Sequence, residues 1–210
     1  MNIDQFFYPG GLTTMMTGLK QAALCAAVLT LASASLRAEE SHASQPFFAQ
    51  MVVQGVTFQV ESPNDSSINR VVVRAEGPEG PLGPMEAEAD GTITGVEVED
   101  LNADGYPEIY VYVTSAGSGS YGSLIAYASN RNRSLSEIYV PALEEDPDAA
   151  NGYMGHDKFA VGEGTLLRRF PLYREGDKNA EPTGGTRQIQ YKLVAGEAGW
   201  VLRKDGSVDF

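Results

Sequence analysis

The chain has 210 residues, 42% of them hydrophobic and 20% charged, and carries a formal net charge of -13. This balance fits a soluble globular domain with a real core and excludes a fibre, a coiled coil or a disordered acidic tail. So negative a surface repels phosphate backbones and attracts cationic proteins, so no nucleic-acid partner is expected.

Residues 1-38 read as an export signal. Met15 and Met16 precede Lys20, and "AALCAAVLTLASASLRA" supplies an apolar stretch followed by small residues suited to signal peptidase, with cleavage between Ser35 and Ala38. Met1 to Thr14 form an over-long lead-in, which makes Met15 or Met16 a candidate start. The apolar run is too short for a comfortable bilayer span, so no stable membrane anchor is expected. Cys25 is the only cysteine and leaves with this leader, so the mature chain has no disulfide, no thiol chemistry and no Cys-based metal site. The signal also removes Asp4 against Lys20 and Arg37, leaving the mature chain one unit more negative. A periplasmic protein is expected, with a polar leader over residues 39-46 and one β domain over residues 47-210.

Strands are predicted nearly everywhere in that domain. "FFAQMVVQGVTFQVES" and "SINRVVVRAEG" read as two strands parted by the turn "PNDSS". The acidic Pro/Gly stretch Glu76 to Gly91 reads as a loop that packs nothing, with room for one short helical turn at "PMEAEA". "TITGVEVEDL" alternates again, and "DLNADGYPEIYVYVTS" gives a turn followed by the most apolar strand of the domain. "SLIAYAS" and "LSEIYVPAL" pair around "NRNRS", and "EEDPDAANGYMGHD" is a second acidic loop with room for one short helical turn. "KFAVGEGTLLRRFPLY", "TRQIQYKLVAG" and "GWVLRKD" complete the strands, with Trp200 as the expected core anchor and Arg168 and Arg169 as strand-edge decoration. The fold class is all-β: a single-domain antiparallel sandwich or barrel-like fold of about eight to ten strands. Exposed edge strands leave room for a homodimer.

Between two of these strands stands "SAGSGSYGSL", Ser115 to Leu124. A hairpin connection needs two to five residues and usually one glycine; this segment has more glycine than turning requires. The order "DLNADGYPEIYVYVTSAGSGSYGSLIAYA", followed by "GGTRQIQYKLVAGEAGWVL", resembles the bacterial periplasmic inhibitors of invertebrate-type (i-type) lysozyme. The resemblance lies in the Asp-Gly-Tyr-Pro-Glu turn feeding a strand and in the Ser-Gly-x-Tyr signature at Ser118, Gly119, Ser120 and Tyr121, and it extends from about Phe47 to Arg203. It implies an all-β inhibitor that pushes a protruding loop into the substrate cleft of a cationic i-type lysozyme. Ser118 and Tyr121 would then be the inserted pair, Gly119 and Ser120 would shape the tip, and Arg133 in "NRNR" would assist. A related family directed at vertebrate-type lysozymes pairs the same signature with a Thr-Lys-Gly element, which is absent here.

The residue types suit that role. Lysozyme-type enzymes work between two carboxylates, one of them protonated, and a hydroxyl can donate to one and accept from the other without burying a charge. Tyr121 adds rigid amphipathic area, and an arginine can bind a carboxylate through two parallel hydrogen bonds. The competing reading is a loose connection whose Tyr121 starts the next strand and packs inward.

Asp100, Asn102 and Asp104 stand at calcium-loop spacing, with Gly105 at the sharp turn and Glu108 where a water-bridged ligand would fall. Position twelve is Val111 where a bidentate acid is expected, so we read a turn whose Asp and Asn side chains cap backbone amides, with no metal and no other cofactor. The alternative is a calcium-assisted carbohydrate- or surface-binding β module. No catalytic constellation is present: His42 lies in the polar leader, His156 beside Asp157 reads as a solvated or turn-forming pair, and no strand-turn-helix context surrounds Ser118 or Ser120. The chain is therefore not expected to be an enzyme.

Overall fold

Alternation of apolar and polar side chains builds a four-stranded sheet first. The computed structural model describes residues 45-210; the export signal, Cys25, His42 and most of the polar leader lie outside them. β1 (Phe47–Val53), β2 (Val56–Ser62), β3 (Ile68–Gly77) and β4 (Gly80–Asp90) form an antiparallel meander in that order. The first apolar stretch, predicted as one strand, is a hairpin. Gln54 and Gly55 both take positive φ, at 49° and 80°, the conformation of a tight two-residue turn whose twist matches its strands.

β4 overturns the prediction of an unpacked acidic loop over Glu76 to Gly91. Met85, Ala87 and Ala89 turn one way and Glu86, Glu88 and Asp90 the other, a period of two hidden by the Pro/Gly-rich composition. Leu82 and Ala89 are buried. Pro81 and Pro84 are tolerated because β4 ends the sheet, where a missing amide breaks no inner ladder.

The second sheet has eight strands: β5 (Thr92–Glu99), β6 (Glu108–Thr114), β7 (Gly122–Ser129), β8 (Leu135–Tyr139), β9 (Lys158–Gly162), β10 (Thr165–Pro171), β11 (Thr186–Ala195) and β12 (Trp200–Asp209). Their order is β5-β6-β7-β8-β12-β11-β10-β9, and the sheet curls until its two ends meet. At that seam Glu97 of β5 accepts the Val161 amide of β9 at 2.8 Å and the hydroxyl of Tyr112. Among the described residues twelve strands thus replace the eight to ten expected, and the β8–β12 pair is parallel while the others are antiparallel. A 3-10 turn (Leu143–Glu145) and a one-turn helix α1 (Pro147–Ala150) sit in the second acidic loop, where room for such a turn was foreseen.

β6 is the wall between two cores. Ile109, Val111 and Val113 face the four-stranded sheet and pack with Phe58, Val60 and Val73. Tyr110 and Tyr112 face the barrel interior with Leu166, Phe170, Ile189 and Leu202. Burial on both faces explains why "EIYVYV" is an unbroken apolar run closed off by one buried acid, Glu108. Trp200 is only half-buried, and Tyr110, Phe58 and Phe170 are the largest fully buried side chains, which corrects the expected core anchor. Among the described residues no helix is long and apolar enough to cross a membrane.

Candidate functional site

The Gly/Ser segment connects β6 to β7 at one mouth of the barrel. Its base is closed by the Ser115 amide donating to the Tyr121 carbonyl at 2.9 Å and by the Tyr121 amide donating to Ser115 Oγ at 3.0 Å. Inside that frame Ser120, at φ 44°, donates its amide to the Gly117 carbonyl at 2.9 Å and shapes the tip. Ser118 projects from the tip and is exposed. Tyr121 is 46% exposed, and its ring lies over Gly119, where a Cβ would come within 2.4 Å of it. A side chain at residue 119 would displace that ring.

The loop is braced from two distant segments. The His156 amide donates to the Gly119 carbonyl at 2.7 Å, and the preceding Gly155 approaches so closely that a Cβ there would stand 2.0 Å from the same oxygen. Asn179 donates Nδ2 to the Ser118 carbonyl at 2.8 Å, its Oδ1 lies 3.1 Å from His156 Nε2, and its own carbonyl accepts the Tyr173 hydroxyl at 2.7 Å. Asn179 does not stand out in sequence, and His156 does so only as a histidine beside an acid, because loop-to-loop contacts leave no periodicity to detect. His156 sits at φ 60°, half-buried, and braces the loop.

Beneath the loop lies a buried ion pair. Arg168 Nε donates to Asp157 Oδ1 at 2.6 Å, with side chains 10% and 0% exposed. Asp157 Oδ2 also accepts the Gly122 amide at 2.7 Å and the Tyr153 hydroxyl at 2.5 Å, while Arg168 Nη2 donates to the Tyr153 oxygen at 2.8 Å. The guanidinium rests among the rings of Tyr153, Phe159 and Phe170, with centroids 5.1, 5.5 and 5.9 Å away. Burial and the bond to Asp157 push the Tyr153 phenol above its ordinary range, so it stays a neutral donor. Arg168 is therefore not edge decoration. It shares the inward register with Leu166 and Phe170, and an arginine in such a register signals a buried partner. Tyr153 in turn meets Tyr121 edge-on, centroids 5.5 Å apart, so this pair supports the loop's aromatic side. A cavity of about 330 Å³ opens beside it, lined by Tyr121, Leu124, Phe159, Leu166, Arg168 and Tyr191.

The structure brings Ser118, Gly119, Ser120 and Tyr121 together but not Arg133. That arginine sits in the β7–β8 turn, at the other end of the eight-residue β7 and so about 25 Å along the strand from the loop. It is exposed and faces Glu79 at 3.4 Å.

At that same far end lies the β5–β6 turn. Asp100 accepts the amides of Asp104 at 3.0 Å and Gly105 at 2.9 Å, Asn102 Oδ1 accepts the Asp104 amide at 3.0 Å, and Asp104 accepts the Tyr106 amide at 2.9 Å. Glu108 is 1% exposed. Burial, and after it the neighbouring charges of Asp104, Asp100 and Glu99, push its carboxyl up to about 8 against the Leu101 amide that it accepts at 2.8 Å.

Comparison with known proteins places this geometry in context. The family described as periplasmic lysozyme inhibitor of I-type lysozyme matches residues 83–152, which include the Asp-Gly turn, β6 and the loop. Among solved structures, Aeromonas hydrophila PliI in complex with Meretrix lusoria lysozyme is 30% identical, with 44% of this chain and 81% of that chain covered and a TM-score of 0.39. No curated protein sequence matches the chain. The identity over most of that relative's length, together with the family match across the loop, shows that the chain belongs to the family of periplasmic inhibitors of I-type lysozyme.

Proposed function

We propose that this protein inhibits i-type lysozyme in the periplasm by inserting the Ser118–Tyr121 loop into the enzyme's cleft and blocking its catalytic carboxylates. The observation that carries the reading is the bracing of the loop: its backbone is held by His156 and Asn179 while the Ser118 side chain and nearly half of Tyr121 remain exposed. A loop already fixed in shape surrenders little conformational freedom on binding, which favours affinity. Ser118 can donate to the ionised carboxylate of a lysozyme and accept from the protonated one, and it carries no charge into the cleft. Tyr121 supplies the rigid apolar flank. The net charge of -13 suits a cationic enzyme.

The test is a turbidity assay on bacterial cell walls, run with the mature protein against an i-type and a vertebrate-type lysozyme. The i-type enzyme should be suppressed far more strongly. Equal suppression of both, or none, would overturn the target.

A further inference from the structure

We infer that the β5–β6 turn is a calcium site, with Asp100, Asp104 and Glu108 as carboxylate ligands and Asn102 as a neutral oxygen ligand beside them. Carboxylate oxygens of the three acids all lie within 4.8 Å of one another. Calcium bonds oxygen at about 2.3–2.6 Å, so ligands on opposite sides of one ion stand about 5 Å apart. Asn102 donates Nδ2 to Asp104 Oδ2 at 3.1 Å, so this side chain borders the cluster and its amide must turn to present Oδ1 to an ion. The donor set is oxygen alone, which suits a hard cation and not zinc or copper.

Clustered acids on an acidic surface would carry no such conclusion by themselves. The independent observation is Glu108, whose Oε2 accepts the Leu101 amide while Oε1 is buried and meets no hydrogen-bond partner among the described residues. An ionised carboxylate buried beside Asp100 and Asp104 has only like charges for neighbours, which is costly unless a cation joins them. Protonation removes the charge, yet it leaves Oε1 or its proton still unpartnered. A cation supplies the missing partner and the missing charge together. The absence of an acid at Val111 matters less than the spacing implied, because a carboxylate oxygen of Glu108 already lies within 4.8 Å of those of Asp100 and Asp104.

The role assigned is structural. Glu108 opens β6, and the inhibitory loop hangs from the other end of that strand, about 20 Å away. The site therefore stands or falls independently of the lysozyme reading.

The mature protein, stripped with a chelator, should be titrated with calcium chloride by calorimetry and melted with and without the ion, with magnesium chloride and sodium chloride of equal ionic strength as controls. Calcium at a hundredfold its dissociation constant should raise the melting temperature by about 5 °C or more. Asp104→Asn keeps an oxygen for the Tyr106 amide and should fold normally, yet weaken calcium binding at least tenfold; Glu108→Gln should do the same. No calcium-dependent shift, an equal shift with magnesium or sodium, or an undiminished shift in Asp104→Asn would each overturn the site. If Glu108→Gln fails to fold, Asp104→Asn alone decides. Lysozyme inhibition, assayed in parallel with calcium and with chelator at a temperature where both forms are folded, should be unchanged.

Discussion

Ser118 and Tyr121 differ in what surrounds them, and so in what their loss should do. Ser118 is exposed at the tip and only its carbonyl is engaged, so Ser118→Trp should leave the melting curve nearly unmoved while weakening inhibition tenfold or more. Tyr121→Ala should weaken inhibition by at least as much and also loosen the edge contact with Tyr153. Arg133→Ala should change affinity less than twofold, because the turn that holds it lies at the far end of β7. Surface plasmon resonance on the three variants checks these claims, and unchanged affinity in both loop variants with intact folds would move the site elsewhere. At this scale the sequence is legible where chemistry is local: the Ser-Gly-x-Tyr signature and the Asp-Gly turn can be read directly. It is not legible where a side chain's meaning depends on a distant partner. Arg168 and Asp157 are eleven residues apart, and Asn179 reaches Ser118 across sixty-one. The inward register of Arg168 between Leu166 and Phe170 was the one available clue.

Elements explain the rest of the site. The segment from Arg174 to Thr183 carries Asn179 to the loop, and Asp177 folds that segment by accepting the Arg174 amide at 2.7 Å, the Thr183 amide at 2.8 Å and the Thr183 hydroxyl at 2.9 Å. These donors, the backbone amides first, hold the Asp177 carboxyl below the usual carboxylate range. A carboxyl whose folded value is depressed stabilises above its unfolded value, and that contribution disappears as pH falls through the folded one. Asp177→Ala should therefore melt below the wild type near neutral pH, with the gap closing as pH falls below the usual carboxylate range and through the depressed value of the folded carboxyl. Melting curves across that range decide it; a gap that stays constant would mean the carboxylate plays no part. β4 shows why elements are harder to read than motifs. Its alternation is regular over Met85 to Asp90, but Pro and Gly ahead of it carry the stronger local signal, and only pairing with β3 decides between strand and loop.

For the whole molecule, charge and topology act together. The loop residues are uncharged while the chain carries -13, so on the proposed reading attraction to a cationic enzyme would come from the body and not from the tip. Raising sodium chloride from about 0.05 M to about 0.3 M should slow association and leave dissociation nearly unchanged, since steering between exposed charges is screened over about a Debye length. Association rates indifferent to salt would remove the acidic surface from the encounter. The all-β class was legible from alternation alone, whereas closure of the eight strands was not, because it rests on the Glu97 bridge between β5 and β9, sixty-four residues apart. The position of β6 has a consequence for cutting the molecule. Residues 47-90 form one sheet and residues 92-209 the other, so the Gly91 corner looks like a natural place to divide the chain into two fragments. A fragment starting at Thr92 would keep every strand of the barrel, yet it would turn Ile109, Val111 and Val113 out to water as a greasy stripe. Such a piece would seek a substitute cover in its own copies, and the inhibitor would be lost to aggregation before its loop could meet an enzyme.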